Sequence, residues 1–305
     1  MAYALALSTG CAITLAERKP DPPRVVHPEP EYVPVPPPPP PLPPRPAARK
    51  PRSAPPVVVE HKQIRGQALT VVRLDLRRVS PEFSFAYGTG KPLKRVESFE
   101  AMHRRVGPFV VASGTFFGVR NRETMGTIVS RGKIHQAPGW DNRGTALVID
   151  RSGKGRMTTL RVEGKPDPRR AAFWMQAGPR LVRKKQIWYN PRVEGFRDPS
   201  LFSRARRMAV GLAGNGRTLL VVAFKEYPTL LEAATILRDL GVSDAMNLDG
   251  GPSAGLAVGG RVYLEPDSRL THVLVMKPRD LRGSEAGNLG EQTFHHEGVR
   301  QPAAL

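Results

Sequence analysis

The stretch Asp244-Ala245-Met246-Asn247-Leu248-Asp249-Gly250-Gly251-Pro252-Ser253-Ala254-Gly255 decides how this sequence reads. An amphipathic run over residues 230–240 leads into it, and Gly241 stops that run as a helix C-terminus does. Asn247 and Asp249 then sit on a short strand-like segment. Gly250 and Gly251 follow without side chains, so a ligand can come close to the backbone. A carboxylate at a strand end, beside bare backbone N–H groups and Ser253, is a place for chemistry. Asp-Gly-Gly is equally good turn chemistry, and the stretch alone favours the turn. The rest of the chain changes that balance.

Working outward, strands dominate. Residues 57–59 and 68–79 read as strands, with Thr70, Val72, Leu74 and Leu76 at period two. Residues 83–87 form another. Ser98 caps a predicted helix through Arg105, with Phe99, Met102 and Val106 on one side. Residues 108–117 form a buried strand that ends in Ser113-Gly114-Thr115-Phe116-Phe117-Gly118. Residues 126–135 make a hairpin around Arg131-Gly132. Residues 145–150, 157–162, 173–182, 207–211 and 219–224 continue the pattern, with a turn at Gly214-Asn215-Gly216. Residues 256–263 and 272–276 close it. The fold class is therefore α+β: mostly antiparallel and strand-rich, with one or two packed helices. The regular strand–helix alternation of a parallel doubly wound sheet is missing.

Composition divides the 305 residues sharply. More than half of the 32 prolines fall between Pro20 and Pro56. Pro36 to Pro41 is unbroken proline, which favours an extended polyproline helix that cannot join a core. Residues 1–18 are mostly apolar and too short to span a bilayer. They resemble the apolar core of an export signal without its basic start. Leu7-Ser8-Thr9-Gly10-Cys11 loosely resembles a lipobox, with Cys11, the sole cysteine, as the lipidated residue. The expected organisation is a signal or lipoprotein-like segment (1–18), a proline-rich tether (19–56), a folded domain (57–280) and a polar tail (281–305). It implies an exported protein, periplasmic or anchored to a membrane surface through the tether.

The net charge of +20 invites a nucleic-acid reading. Yet Lys and Arg are scattered, and no helix-turn-helix, zinc-finger or RNP pattern accompanies them. No specific nucleic-acid partner is expected. A basic surface suits an anionic glycan, a phosphate-bearing substrate or an anionic membrane equally well. One cysteine excludes a disulfide frame and a cysteine zinc site. The seven histidines show no metal-ligand spacing. No cofactor is expected, although a divalent cation beside Asp249 stays open.

Several short patterns occur together: Ser113-Gly114-Thr115-Phe116-Phe117, Gly126-Thr127-Ile128-Val129, Gly178-Pro179-Arg180-Leu181, Arg207-Met208-Ala209-Val210-Gly211, and Asn247-Leu248-Asp249-Gly250-Gly251-Pro252-Ser253. In order and spacing, the chain resembles the phosphodiester glycosidase family over residues 68–276. Members include the enzyme that removes N-acetylglucosamine from a phosphodiester. This chain departs from the family's pattern at Ser113, where Asn is usual, at Pro252-Ser253-Ala254, where Gly-Ser-Ser is usual, and near Gln176, where a small hydroxyl residue is usual.

The resemblance implies a sugar–phosphate or anionic glycan substrate, broken between the anomeric carbon and a phosphate oxygen. A departing phosphate ester needs charge stabilisation more than a proton, and arginine's planar fork matches phosphate. Arg180 and Arg207 are the candidates. Asp249 would act at the sugar side, as base for water or as nucleophile on the oxocarbenium-like centre. Asn247, Ser253 and the N–H groups of Gly250 and Gly251 would bind hydroxyl or phosphate oxygens. Ser113, Thr115, Phe116 and Gln176 complete the expected substrate site. The reading expects three distant segments to meet in one cleft, guanidinium groups facing the Asp249 carboxylate.

Two decoys and two rivals stand beside it. Gly251-Pro252-Ser253-Ala254-Gly255 matches the nucleophile elbow, but a hairpin rather than a helix is expected next, and only about fifty residues remain for a triad. Ser130-Arg131-Gly132-Lys133 matches S-x-x-K across a hairpin turn. The rivals are a glycan-binding module of the same fold without turnover and a basic nucleic-acid-binding domain.

Overall fold

The computed structural model describes residues 54–87, 95–136 and 140–279. The expected segment 1–18 with Cys11, most of the tether (19–56) and all of the polar tail (281–305) lie outside them.

The chain opens with β1 (Val57–Ile64) and β2 (Gln67–Asp75), then β3 (Val79–Phe85). Helix α1 (Phe99–Val106) follows, with the Ser98 hydroxyl accepting the Ala101 N–H at its start. Next come β4 (Val110–Ser113) and the hairpin β5 (Ile128–Ser130) and β6 (Lys133–His135), turned by Arg131 and Gly132 at positive φ. β7 (Thr145–Ile149) and β8 (Gly155–Thr159) lead to the short α2 (Leu160–Glu163). β9 (Phe173–Ala177), β10 (Arg180–Arg183), β11 (Gln186–Ile187), β12 (Met208–Ala213) and β13 (Thr218–Phe224) come next. Helix α3 (Leu230–Asp239) begins with a capping box between Thr229 and Glu232. β14 (Asp244–Asn247), β15 (Leu256–Val258), β16 (Arg261–Leu264) and β17 (His272–Pro278) finish the fold.

These strands make three sheets, ordered β1-β2-β13-β12-β14-β10-β11, β16-β15-β4-β17-β3 and β6-β5-β9-β7-β8. The strand pairings within them are antiparallel. One core draws on all three sheets, through residues such as Val72, Leu74, Phe83, Leu147, Phe173 and Val210. Each sheet's other face is covered separately. α3 packs Leu230, Ala233, Ile236 and Leu237 against Leu69, Val71 and Val222. α1 sets Phe99 and Met102 against Val111, Val273 and Val275. Each such buried Val, Leu, Ile, Phe or Met contributes about 1.5–3 kcal/mol through removal from water.

The α+β, strand-rich class holds, and several details differ from the expected strands. β2 is buried on both faces, because the sheet lies between the central core and α3. Residues 160–163, expected to extend a strand, form a helical turn. Residues 173–182, expected as one strand, divide at Gly178-Pro179, a cis peptide. β9 belongs to the third sheet and β10 to the first. Pro179 has no N–H for a ladder, and Gly178 takes φ +130° there. The segment thus hands the chain from one sheet to another, beside the end of β14.

Candidate active site

β14 is threaded between β12 and β10, and Asp249 lies two residues beyond its far end. Leu248 still donates to the Met208 carbonyl, and Asp249 N–H reaches the Gly114 carbonyl at 3.1 Å. The ends of two sheets are tied there. A side chain on Gly250 would lie 2.7 Å from the Arg206 carbonyl oxygen, so only glycine fits the close approach. Neither glycine N–H is free. That of Gly250 bonds the Asp249 carboxylate at 3.1 Å, and that of Gly251 the Arg206 carbonyl at 2.8 Å.

Asp249 keeps a partial opening to solvent. Burial of the carboxyl group pushes it up to about 7, against the opposing hydrogen bonds from the Ser253 side chain and the Gly250 N–H. Among the described residues no ion pair with lysine or arginine offsets its charge. Its strand neighbour Asn247 is 2% exposed. The Asn247 Nδ2 donates to the carbonyls of Gly178 at 3.2 Å and Leu248 at 2.7 Å, and its Oδ1 has no partner. Two carbonyl partners fix which end of the amide is nitrogen, so a buried acceptor is left for a ligand or water.

Phe116, half-buried, stands on the wall of this region. Its ring lies 6.1 Å from Trp140 and 6.0 Å from Phe196, which are themselves 6.1 Å apart. Phe196 also packs over Gly178, where a side chain would meet it at 3.2 Å. The three rings therefore adjoin the peptide that Asn247 holds.

The remaining expected residues support this region from below. The Thr115 hydroxyl donates to the Gln176 carbonyl and, at 3.3 Å, to Met125. The Gln176 side chain accepts the Thr127 N–H at 2.9 Å and donates to Trp140 and, at 2.6 Å, to Arg143, pinning the loop that carries Trp140. The Ser113 hydroxyl accepts the Gly255 N–H at 3.1 Å. All three are buried and committed to backbone groups.

The arginines do not meet Asp249. Arg180, 2% exposed, sends its guanidinium to Glu163 at 2.7 Å, to Asp244 and to the Thr159 hydroxyl at 3.1 Å. Asp244 starts β14, whereas Asp249 lies beyond its end, so Arg180 points away. The Arg207 backbone adjoins Gly250, but its guanidinium turns to the carbonyls of Leu201 at 2.9 Å, Ser203 and Pro228 at 3.4 Å. Burial lowers its pKa, and among the described residues no carboxylate pairs with it. It is a buried cation whose hydrogen bonds go to backbone oxygens.

Two residues enter that the sequence did not mark. Glu194, fully buried, accepts the Arg180 N–H at 2.8 Å and the Thr145 hydroxyl at 2.7 Å. Burial pushes its carboxyl up to about 7. It lies under Gly178. His272 bonds the Thr115 carbonyl at 3.1 Å and the Thr271 hydroxyl at 2.8 Å, and burial takes it down to about 4. It is neutral and braces the Gly114 turn, where a side chain would strike its ring. Glu194 sits in a polar loop with no partner nearby in sequence, and His272 lacks any ligand spacing. Among the described residues no cluster of His, Cys, Asp and Glu could hold a metal ion. The Gly251–Ser253 turn leads into β15, so the nucleophile-elbow pattern lacks its helix.

Comparison with known proteins gives the same direction. The profile of a family described as phosphodiester glycosidase matches residues 107–276. No curated protein matches the sequence. The fold is similar to the zebrafish N-acetylglucosamine-1-phosphodiester alpha-N-acetylglucosaminidase catalytic domain, auto-inhibited by its pro-peptide, at TM-score 0.59 and 18% identity, covering 75% of this chain and 85% of that one. A hypothetical protein from Synechocystis matches at TM-score 0.54 and 18% identity over 74% of this chain, which spans 64% of that protein's length. A protein from Burkholderia pseudomallei described as exported matches at TM-score 0.50 and 14% identity, over 70% of this chain and 74% of that one.

Proposed function

This chain belongs to the phosphodiester glycosidase family, and from that premise we propose that it hydrolyses the bond between an anomeric carbon and phosphate in a sugar-1-phosphodiester of the cell envelope. The observation that carries the reading is Asp249: a carboxyl group at a strand end, pushed up to about 7, beside the unpartnered Asn247 Oδ1 and the aromatic wall of Phe116, Trp140 and Phe196. A base whose pKa lies near the working pH is ionised often enough to act and basic enough to take a proton from water. The rings supply a face for the sugar, and Asn247 Oδ1 accepts from a hydroxyl. Arg207, whose cation has no carboxylate partner among the described residues, is the better source of charge for the departing phosphate. Arg180 is spent on Glu163 and Asp244 and shapes the fold beneath.

Residues 1–18 then serve export, Cys11 is the acylation point, and residues 19–56 space the domain from a membrane surface. The test is release of free sugar from a panel of sugar-1-phosphodiesters and nucleotide sugars. The wild-type rate rises with pH through about 7, as Asp249 ionises. Asp249→Asn removes release and leaves sugar-phosphate binding intact. Equal release by that variant would exclude Asp249 from the reaction. Binding without release by the wild type would favour a glycan-binding module.

A further inference from the structure

A second concave site lies at the opposite end of β14. A cavity of about 550 Å³ opens where β14 begins, between the β10–β11 turn and the turn at Gly214–Gly216. Asp249 lies five positions beyond Asp244, about 16 Å along an extended strand, so the cavity is distinct from the candidate active site. Its volume falls in the range of small-molecule sites.

Its charge is positive. Arg156, Lys184 and Lys185 line it, all three are exposed, and none forms an ion pair among the described residues. Two carboxylates, Glu163 and Asp244, also line it. Glu163 is held by Arg180 at 2.7 Å and Arg183 at 2.9 Å, and Asp244 is held by Arg180. The acidic charge at the floor is thus spent within the protein, and the rim cations remain for a ligand.

The backbone carries the second observation. Arg183 pairs with Gln186, so Lys184-Lys185 is a two-residue hairpin turn, with φ +50° and +66°. Such a turn needs positive φ at both positions and prefers Asn-Gly. The β1–β2 and β5–β6 turns meet that demand with a glycine at their second position, Gly66 and Gly132. This turn puts two side-chain-bearing cations in the left-handed region. Across the cavity Asn215 is also left-handed, at φ +56°, with an exposed side-chain amide. Backbone strain held at a cavity mouth points to a role for the side chains it places there.

We propose that this cavity binds the phosphate group of a phosphorylated saccharide, with Lys184, Lys185 and Arg156 contacting the phosphate and Asn215 a hydroxyl. The proposal does not rest on Asp249 or on turnover. It is tested on the full chain, isotope-labelled, by backbone amide shifts of residues 184–185 and 214–216 on titration with glucose 1-phosphate, inorganic phosphate and glucose. Local readout separates this site from diffuse binding to a basic surface. Saturable shifts with glucose 1-phosphate and none with glucose are expected. Tighter binding of glucose 1-phosphate than of inorganic phosphate assigns the site to a saccharide-borne group, and equal binding assigns it to phosphate itself. The double variant Lys184→Asn, Lys185→Gly installs the preferred turn, so it folds at least as well as the wild type. It should raise Tm and weaken binding at least tenfold, as should Arg156→Gln. Absence of saturable shifts at these residues, or unchanged affinity in both variants, would overturn the proposal.

Discussion

The side-chain amide of Asn247 donates to the carbonyl oxygen of Gly178 at 3.2 Å, binding the strand that leads to Asp249 to the bend between two sheets. The backbones reinforce it: Gly178 N–H reaches the Asn247 carbonyl and Asn247 N–H the Pro179 carbonyl, both at 3.0 Å. Several parts of the candidate active site meet at this junction. The aromatic wall leans on Gly178, Glu194 lies beside it, and Asp249 follows two residues after Asn247.

Asn247→Asp therefore reports on the junction directly. An aspartate would present oxygen to two carbonyls and bury an unpaired polar group. The expected loss is about 1–3 kcal/mol of stability, read from the urea midpoint. A change near zero would mean that the backbone pairs alone hold the bend.

How much of this was legible in the sequence follows from the range of the interactions. α3 was legible because its apolar face and Gly241 are local signals. The hairpin at Arg131-Gly132 was legible because a two-residue turn states its own geometry. The division of residues 173–182 was not, since an apolar run reads as one strand until the separate partners of Trp174 and Arg180 are known. Asp249 was legible as a carboxylate between an apolar strand and two glycines. The direction of Arg180 was hidden, because the carboxylates that claim it, Glu163 and Asp244, lie 17 and 64 residues away. Glu194 was hidden for the same reason: its burial comes only from the closure of Gly144, Gly178 and Arg180 around it.

Gly250 tests the close approach. Its φ of −138° suits any residue, so strain in the backbone is not the issue. The added carbon would lie 2.7 Å from the Arg206 carbonyl oxygen, a backbone atom that cannot swing aside. Gly250→Ala should cost about 1–3 kcal/mol and displace Asp249. Thermal unfolding together with the release assay checks both, and an unaltered Tm would contradict the packing.

Glu194 gives stability a pH dependence of definite sign. The folded state holds its proton up to about 7, against an ordinary value of 4.5. The unfolded chain releases it earlier, so this contribution is complete below about 4.5 and is lost as pH rises to about 7. Its size is roughly 3 kcal/mol at about 1.4 kcal/mol for each tenfold in proton affinity. Glu194→Gln keeps the neutral shape and should flatten that part of the profile, gaining on the wild type at pH 8. A slope remains in the variant from Asp249, which shifts in the same direction. Urea midpoints at pH 5 and pH 8 measure it, and an identical slope in both proteins would place the Glu194 proton elsewhere.

The two arginines should separate cleanly under mutation, because their partners differ. Arg180 neutralises Glu163 and Asp244, and its loss leaves Asp244 without its cation and Glu163 with Arg183 alone. Arg180→Met should cost about 3 kcal/mol, somewhat less than a fully sealed pair because both carboxylates keep some exposure. Arg207 neutralises no carboxylate among the described residues and is held by carbonyls. Arg207→Lys keeps the charge and loses the fork, so its stability loss should be the smaller of the two. Its rate should fall about a hundredfold if the fork meets the departing phosphate. Urea unfolding and kcat/KM for sugar release, measured on both variants, decide the matter. The reverse pattern, with Arg180→Met stable but inactive and Arg207→Lys unstable but active, would return Arg180 to the chemistry and make Arg207 a brace for the segment between Leu201 and Pro228.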